Sequence, residues 1–220
     1  MTALQHARPI NATGTALGRK GMETRERLLE AARRLLKHCS PFNLTVIAIA
    51  REAETAPPTF YVYFSDLGSL LHDLAVEAGR DLVGWIATHP ALFAGPQSLA
   101  DDSRVFVDGF NRVWDEHSDI LLYRNLEADR GNMAFLELRT ASAIPFIDRL
   151  AEAVQLADAA VGMLSRTECY AEAIVLYAAV ERLAASRYQY RERTIGPGIE
   201  ELRNAQARII TRCLASRERD

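Results

Sequence analysis

Apolar residues recur along most of the chain at the three- and four-residue spacing of an amphipathic helix, and no stretch alternates as a half-buried strand does. The pattern predicts nine helices, near residues 23–39, 46–53, 56–63, 67–87, 99–117, 119–130, 132–158, 167–191 and 199–216. We expect the helix at 132–158 to bend at Pro145, because proline interrupts the helical hydrogen-bond ladder. The sequence therefore predicts an all-α fold.

Two of the predicted helices are short and are joined by a tight turn within Leu44–Phe64. Thr45 stands at an N-cap position, where its hydroxyl can accept a hydrogen bond from an amide of the first turn. Pro57 and Pro58 open the second helix, where a missing amide costs no helical hydrogen bond. This spacing is typical of a helix-turn-helix, whose second helix enters the major groove of DNA.

The same segment carries the residues that should hold the two helices together. We expect small residues where the helices cross and apolar residues where the pair packs on the first helix. The small residues are Ala50 and Ala53, and the apolar ones are Ile47, Ile49, Phe60 and Phe64.

The second short helix carries side chains that suit a DNA surface. Hydroxyls of Thr59, Tyr61 and Tyr63 can donate to phosphate oxygens, and proline and threonine carbons can pack on a thymine methyl group. A stripe of core residues is the alternative interpretation of such tyrosines. Because these tyrosines follow a capped short helix, a turn and a basic first helix, DNA contact is favoured over a core stripe. The predicted DNA-binding residues are Thr45, Pro57, Pro58, Thr59, Tyr61 and Tyr63.

Charge is distributed unevenly along the chain, although the net charge is only −3. Residues 1–53 contain nine Lys or Arg and four Asp or Glu, whereas residues 54–220 contain seventeen and twenty-five. A basic N-terminal part agrees with a localised nucleic-acid surface, although a charged helix face is often only solvated.

The N-terminal third resembles the DNA-binding domain of the tetracycline-repressor (TetR) family, over about Glu23–Leu74. The resemblance rests on four segments: Arg27–Leu36, Leu44-Thr45, Ile49–Ala53 and Thr59–Phe64. It implies a homodimer with a three-helix helix-turn-helix domain and a C-terminal helical bundle. In such a protein Thr45 and Tyr63 would contact phosphate, and Pro58, Thr59 and Tyr61 would face the groove.

Three positions depart from the family pattern. Glu54 replaces the usual glycine of the turn, so either the turn avoids the left-handed conformation or Glu54 adopts it under strain. Ile47 replaces a polar residue, and Leu67 replaces a lysine that commonly contacts phosphate. We expect weaker nonspecific DNA affinity, or compensation by Arg8, Arg19 and Lys20.

The resemblance also implies three divisions of the chain: a flexible basic arm at 1–21, the DNA-binding domain at 22–75 and a ligand-binding and dimerisation domain at 76–220. The resemblance implies a small-molecule cavity in the C-terminal bundle, with the aromatic residues Phe110, Trp114 and Tyr177 as candidate lining residues, although a helical core explains each one alone. Helices at 167–191 and 199–216 would form the dimer interface. Its alanines, which permit close helix approach, are Ala171, Ala173, Ala178, Ala179, Ala184 and Ala185.

Catalytic and metal-binding patterns are absent from the sequence. The histidines are isolated, and Cys39, Cys169 and Cys213 form no CxxC pair, so we expect no catalytic residue, metal or cofactor. With no signal peptide or spanning segment, we expect a cytoplasmic protein. The sequence favours a repressor that leaves a palindromic operator when a small, largely apolar molecule binds. The alternative is a helical ligand-binding or scaffold protein with a degenerate DNA-binding motif.

Overall fold

The computed structural model describes residues 11–159, 161–186 and 196–215. Over these residues the chain forms nine α-helices and two single-turn 3₁₀ helices, Pro41–Asn43 and Pro96–Ser98, with no strand. The α-helices are α1 (Arg19–Leu36), α2 (Val46–Glu52), α3 (Pro57–Tyr63), α4 (Leu67–Ala87), α5 (Leu99–Glu116), α6 (Ser118–Asp129), α7 (Met133–Asp158), α8 (Arg166–Ala185) and α9 (Ile199–Leu214). The predicted all-α fold is confirmed.

The first helix is displaced towards the N-terminus relative to the prediction of 23–39. It begins at Arg19, after the extended residue Gly18, and ends at Leu36, before the 3₁₀ turn that starts at Pro41. Arg19 and Lys20, which the sequence analysis placed in the arm, belong to α1. The arm at 1–21 as a division of the chain remains a prediction. Residues 1–10, with Arg8, lie outside the described residues, as do 187–191 and Ser216 of the last two predicted helices.

Local capping explains where the long helices start. The carboxylate of Asp66 accepts a hydrogen bond from the Ser69 amide at 2.7 Å, so Asp66 caps α4. Ser165 and Glu168 form a reciprocal capping box at the start of α8. Hydrogen bonds from Ser165 lower the pKa of Glu168 below its ordinary value. Helix α7 continues through Pro145, and its bend remains a prediction.

The described chain divides into two compact units, which are not contiguous in sequence. The first comprises Met1–Gly79 and Asp119–Arg139, so it contains α1–α3, most of α4, nearly all of α6 and the start of α7. The second comprises Arg80–Ser118 and Thr140–Asp220. The functional division of the chain at residues 75 and 76 remains a prediction.

Each unit has its own apolar core. In the first, Leu28 and Leu29 of α1 pack with Ile49 and Phe60, all at most 1% exposed. The core of the second unit contains a cluster of aromatic side chains, among them Phe106, Phe110, Trp114 and Phe146. Cys169 is buried, and Cys39 and Cys213 are half-buried free thiols. Among the described helices, none has the length and apolar character needed to cross a membrane.

Candidate nucleic-acid interface

Helix α2 begins at the cap that the sequence predicts. The hydroxyl oxygen of Thr45 accepts a hydrogen bond from the Ala48 amide at 3.2 Å, and Thr45 has the extended backbone of an N-cap residue. The capping role of Thr45 is confirmed. Its side chain is exposed, which leaves the predicted phosphate contact sterically open.

The turn between α2 and α3 is a Schellman motif with glutamate at the left-handed position. The Thr55 amide donates to the Ala50 carbonyl at 2.9 Å, and the Glu54 amide donates to the Arg51 carbonyl at 3.1 Å. Glu54 has a φ of 53°, which is the strained alternative left open by the sequence. This conformation ordinarily costs a non-glycine residue about 1–2 kcal/mol. The helix-turn-helix geometry is therefore kept despite the missing glycine.

Helix α3 presents one face to the core and the other to solvent. Phe60 is fully buried and its ring packs on Phe64, with 5.4 Å between the ring centroids. Pro57, Pro58 and Tyr61 are exposed, Tyr61 to 54%. Thr59 and Tyr63 are half-buried. The five predicted DNA-binding residues of α3 thus keep accessible side chains, while the phenylalanines anchor the helix.

Two apolar side chains of the helix-turn-helix are exposed to solvent, which the sequence analysis did not predict. The prediction that Ile47 belongs to the core is wrong, because its side chain is 69% exposed, whereas Ile49 is fully buried. Successive residues of a helix lie about 100° apart, so residues 47 and 49 cannot both face the core. Val62, which sequence reasoning missed, is 51% exposed on α3. Both side chains add apolar contact area to the solvent face of the motif.

Three arginines that made the N-terminal part look suited to DNA, Arg25, Arg33 and Arg34, are paired with carboxylates. Arg34 bonds Glu52 at 2.6 Å and so joins α1 to α2. Arg25 forms an ion pair with Asp73, and its guanidinium also lies 4.9 Å from the centre of the Phe64 ring. These contacts position the motif on α1 and α4. They also reduce the positive charge available to a phosphate backbone.

Arg33 is the most strongly held of these cations. It bonds Glu30 at 2.8 Å, Glu26 at 2.9 Å and Glu77 at 2.5 Å. Burial alone would lower the pKa of Arg33, but its hydrogen bonds to these carboxylates outweigh burial and raise the pKa. Basic side chains that remain exposed in the described part of the first unit include Arg19, Lys20, Arg27, Lys37 and Arg51.

A turn before α1 contacts the end of α3, which sequence reasoning did not anticipate. The side-chain oxygen of Asn11 accepts hydrogen bonds from the Thr15 amide at 2.7 Å and from the amide and hydroxyl of Thr13. The Ala12 amide then donates to the Val62 carbonyl at 3.0 Å. An asparagine followed by a segment with Thr-Gly-Thr is a turn signal. The residues of the turn do not show that it bonds a carbonyl 50 residues later in the chain.

The three predicted ligand-lining residues meet in the second unit. The Phe110 ring lies 5.8 Å from that of Trp114 and 5.8 Å from that of Tyr177, measured between ring centroids. All three are buried, Tyr177 to within 4% exposure, and Phe146 packs edge-on against Phe110. They form an aromatic core, so a ligand among them requires these rings to separate.

Comparison with known protein families gives a match over the helix-turn-helix. Residues 28–74, which cover α1 from Leu28, the whole helix-turn-helix and the start of α4, match the family model described as "Bacterial regulatory proteins, tetR family". Over this segment the chain is similar to bacterial regulatory proteins of the tetR family. A comparison with curated proteins gives no match.

Solved structures of regulators share the fold of this chain. The TetR family regulator PfmR from Thermus thermophilus has 16% identity and a TM-score of 0.59, over 88% of this chain and 100% of that one. A TerR/AcrR family regulator from Aquifex aeolicus has 13% identity and a TM-score of 0.56, over 85% and 97%. E. coli NemR in its reduced form has 18% identity and a TM-score of 0.55, over 85% and 96%. At these identities the comparison concerns the fold alone.

Proposed function

We propose that this chain is a cytoplasmic homodimeric repressor that binds a palindromic operator through α3 and leaves it when a small, largely apolar molecule binds. The observation that carries the proposal is the division of α3 into a buried anchor, Phe60, and an exposed face. That face carries Pro57, Pro58 and Tyr61. A helix that only packed in a core would not expose an aromatic side chain to 54% at its centre.

The side chains of the motif divide into two roles in this proposal. Thr45 and Tyr63 bind phosphate oxygens and fix the register of α3 on the duplex. Pro58, Thr59 and Tyr61 face the major groove, with Pro57 at the leading edge, and supply sequence preference through hydroxyl and apolar contacts. Because Arg25, Arg33 and Arg34 are paired with carboxylates, sequence recognition must depend strongly on these uncharged contacts.

A homodimer is proposed on the exposed apolar face of α8. Ala171, Ile174, Val175 and Ala178 follow the i, i+3, i+4, i+7 spacing, and Val175 is 69% exposed. Ala173 and Ala184, by contrast, are fully buried within the protomer, so the alanines of α8 serve two separate surfaces. A two-fold dimer would place two α3 helices on half-sites about 34–36 Å apart, or a multiple of that distance.

The effector is proposed to enter the aromatic cluster of Phe110, Trp114 and Tyr177. The side chains are uncharged and buried, which suits a largely apolar molecule. Its binding would separate the rings and favour a protomer conformation in which the two α3 helices no longer match their half-sites. Screening compounds for release of bound operator tests this step.

The proposal is tested by selecting operators from a random DNA library with the purified chain. We expect an enriched palindrome whose affinity falls steeply with salt. Tyr61→Ala should lose this binding, whereas Glu152→Gln, an exposed substitution on α7, should keep it. Failure to enrich any sequence would contradict the proposal.

A second candidate function is a helical ligand-binding or scaffold protein whose motif no longer binds DNA. The exposed Ile47 and the leucine at position 67 favour it, because neither can bind a phosphate. Compound binding without any salt-dependent DNA affinity would select this alternative.

A further inference from the structure

An open cleft of about 730 Å³ lies in the first unit, beside the C-terminal end of α3. Tyr63 and Phe64 form the wall on the α3 side, and Tyr123 of α6 lies among the lining residues. Asn11 and Ala12, whose turn bonds the carbonyl of Val62, also line it. A molecule in this cleft would therefore contact both α3 and the turn that holds the end of α3.

The cleft has an aromatic corner made by three mutually tilted rings. The rings of Tyr123 and Phe135 meet at 83°, with 5.6 Å between their centroids. The His72 ring meets Phe135 at 77°, with a centroid distance of 5.4 Å. Perpendicular rings present both faces and edges to the same volume, and aromatic faces attract organic cations.

Carboxylates exceed cations along the cleft. Asp66, Asp73 and Glu127 line it together with the guanidinium of Arg25, which is paired with Asp73. Arg130, which is not among the lining residues, pairs with Glu127 at 3.0 Å. Burial raises the pKa of Tyr123, and the negative charge of Glu127 raises it further. The Tyr123 phenol is thus kept neutral, and the combination of its ring with the Asp66 and Glu127 carboxylates favours a positive charge.

We propose that this cleft binds an organic cation, a molecule with a positively charged nitrogen on a flat or compact apolar body. The volume lies within the range of roughly 300–1,000 Å³ typical of small-molecule sites. Glu127 and Asp66 offset the charge, while Tyr123 and Phe135 contact the apolar body. This site shares no lining residue with the aromatic cluster of Phe110, Trp114 and Tyr177. Any change that the bound cation causes in operator affinity rests on the proposed function. The binding of the cation to the cleft does not.

Calorimetry with phenyltrimethylammonium tests the site directly, with benzenesulfonate as an anion of similar size. We expect the cation to bind and the anion to give no heat. Glu127→Gln should lower the affinity for the cation by about fivefold, which is the size typical of one partly exposed charge interaction. Glu152→Gln is the matched control, because Glu152 also pairs with an arginine three positions away on an exposed helix face.

The aromatic contribution is tested at Tyr123. Tyr123→Leu should lower the affinity for phenyltrimethylammonium by about fivefold. Tyr123→Phe, which keeps the ring, should bind it as the natural protein does. If its melting temperature shows that the leucine variant does not fold, the cation affinity of Glu127→Gln alone tests the site.

The outcomes separate this proposal from the proposed function. Equal binding of cation and anion, or an affinity insensitive to Glu127→Gln, overturns the cleft site. No cation binding by a protein that still selects an operator also overturns it and leaves DNA binding intact. Cation binding that depends on Glu127, in a protein that selects no operator, supports the cleft and contradicts the regulator proposal.

Discussion

The amide of Ala12 donates a hydrogen bond to the carbonyl of Val62 at 3.0 Å, which joins the segment before α1 to the last turn of α3. Asn11 holds the Ala12 amide in place through the bonds of its side-chain oxygen to Thr13 and Thr15. The end of the proposed DNA-reading helix is thus fixed by a turn 50 residues earlier in the chain. This relationship makes the N-terminal segment part of the DNA-binding unit.

Asn11→Ala should loosen this turn and weaken operator binding severalfold on every sequence. The bonds lost are exposed, so the free energy of unfolding should fall by at most about 1 kcal/mol. Hydrogen exchange of the Ala12 amide reports the turn directly and should accelerate. Asn11→Asp keeps the acceptor oxygen and should keep the amide protected. Unchanged exchange in Asn11→Ala would show that the side chain does not hold the turn.

Glu54→Gly should raise the free energy of unfolding by about 1 kcal/mol, because glycine adopts a positive φ without the steric cost of a Cβ. Glu54→Ala is the control, since alanine removes the carboxylate but keeps the Cβ. Urea denaturation of the three proteins separates the two effects. Equal stabilisation by alanine and glycine would attribute the gain to charge rather than to backbone strain.

Gly109→Ala should destabilise the second unit by about 1–3 kcal/mol, as overpacking usually does. The Trp85 indole occupies the space in which a Cβ at residue 109 would lie, so the ring must move. Gly84→Ala is a matched control on α4, where a Cβ would meet nothing within 4 Å. It should stabilise the protein by up to about 1 kcal/mol, since alanine is the better helix former. The same sign for both substitutions would contradict the packing argument.

Val175→Asp should convert the proposed dimer into a monomer without unfolding it. The side chain is 69% exposed in the protomer, so the charge costs little there, but it would be buried without a partner in an α8 interface. Glu172→Asp, on the same helix, keeps its charge and should leave the dimer intact. Sedimentation measures the mass directly. A dimer that tolerates Val175→Asp would place the interface elsewhere.

Local signals explain why much of the fold could be predicted from the sequence. Thr45 is a cap recognised from the residue itself, and Pro57 and Pro58 mark a helix start. The assignment of Ile47 to the core failed because it ignored the angle of about 200° that separates Ile47 from Ile49 on a helix. A stricter use of helical periodicity would have corrected it.

Long-range contacts could not be predicted in the same way. The ion pair of Arg34 with Glu52 joins residues 18 positions apart, and Arg25 reaches Asp73 across 48. Counting charges along the chain treated these arginines as available to DNA, although their partners neutralise them. The cleft beside α3 also depends on Tyr123, which tertiary packing alone brings into the first unit.

Operator selection with position-specific variants of α3 tests the central claim, that this helix reads DNA, most directly. The natural protein, Thr59→Val and Tyr63→Ala would each be challenged with the same random library. We expect Thr59→Val to change the preferred sequence, because the proposal places its hydroxyl against the bases. We expect Tyr63→Ala to lose affinity on all sequences without a change of preference. Equal losses on every sequence for both variants, or no enriched operator for the natural protein, would contradict the account.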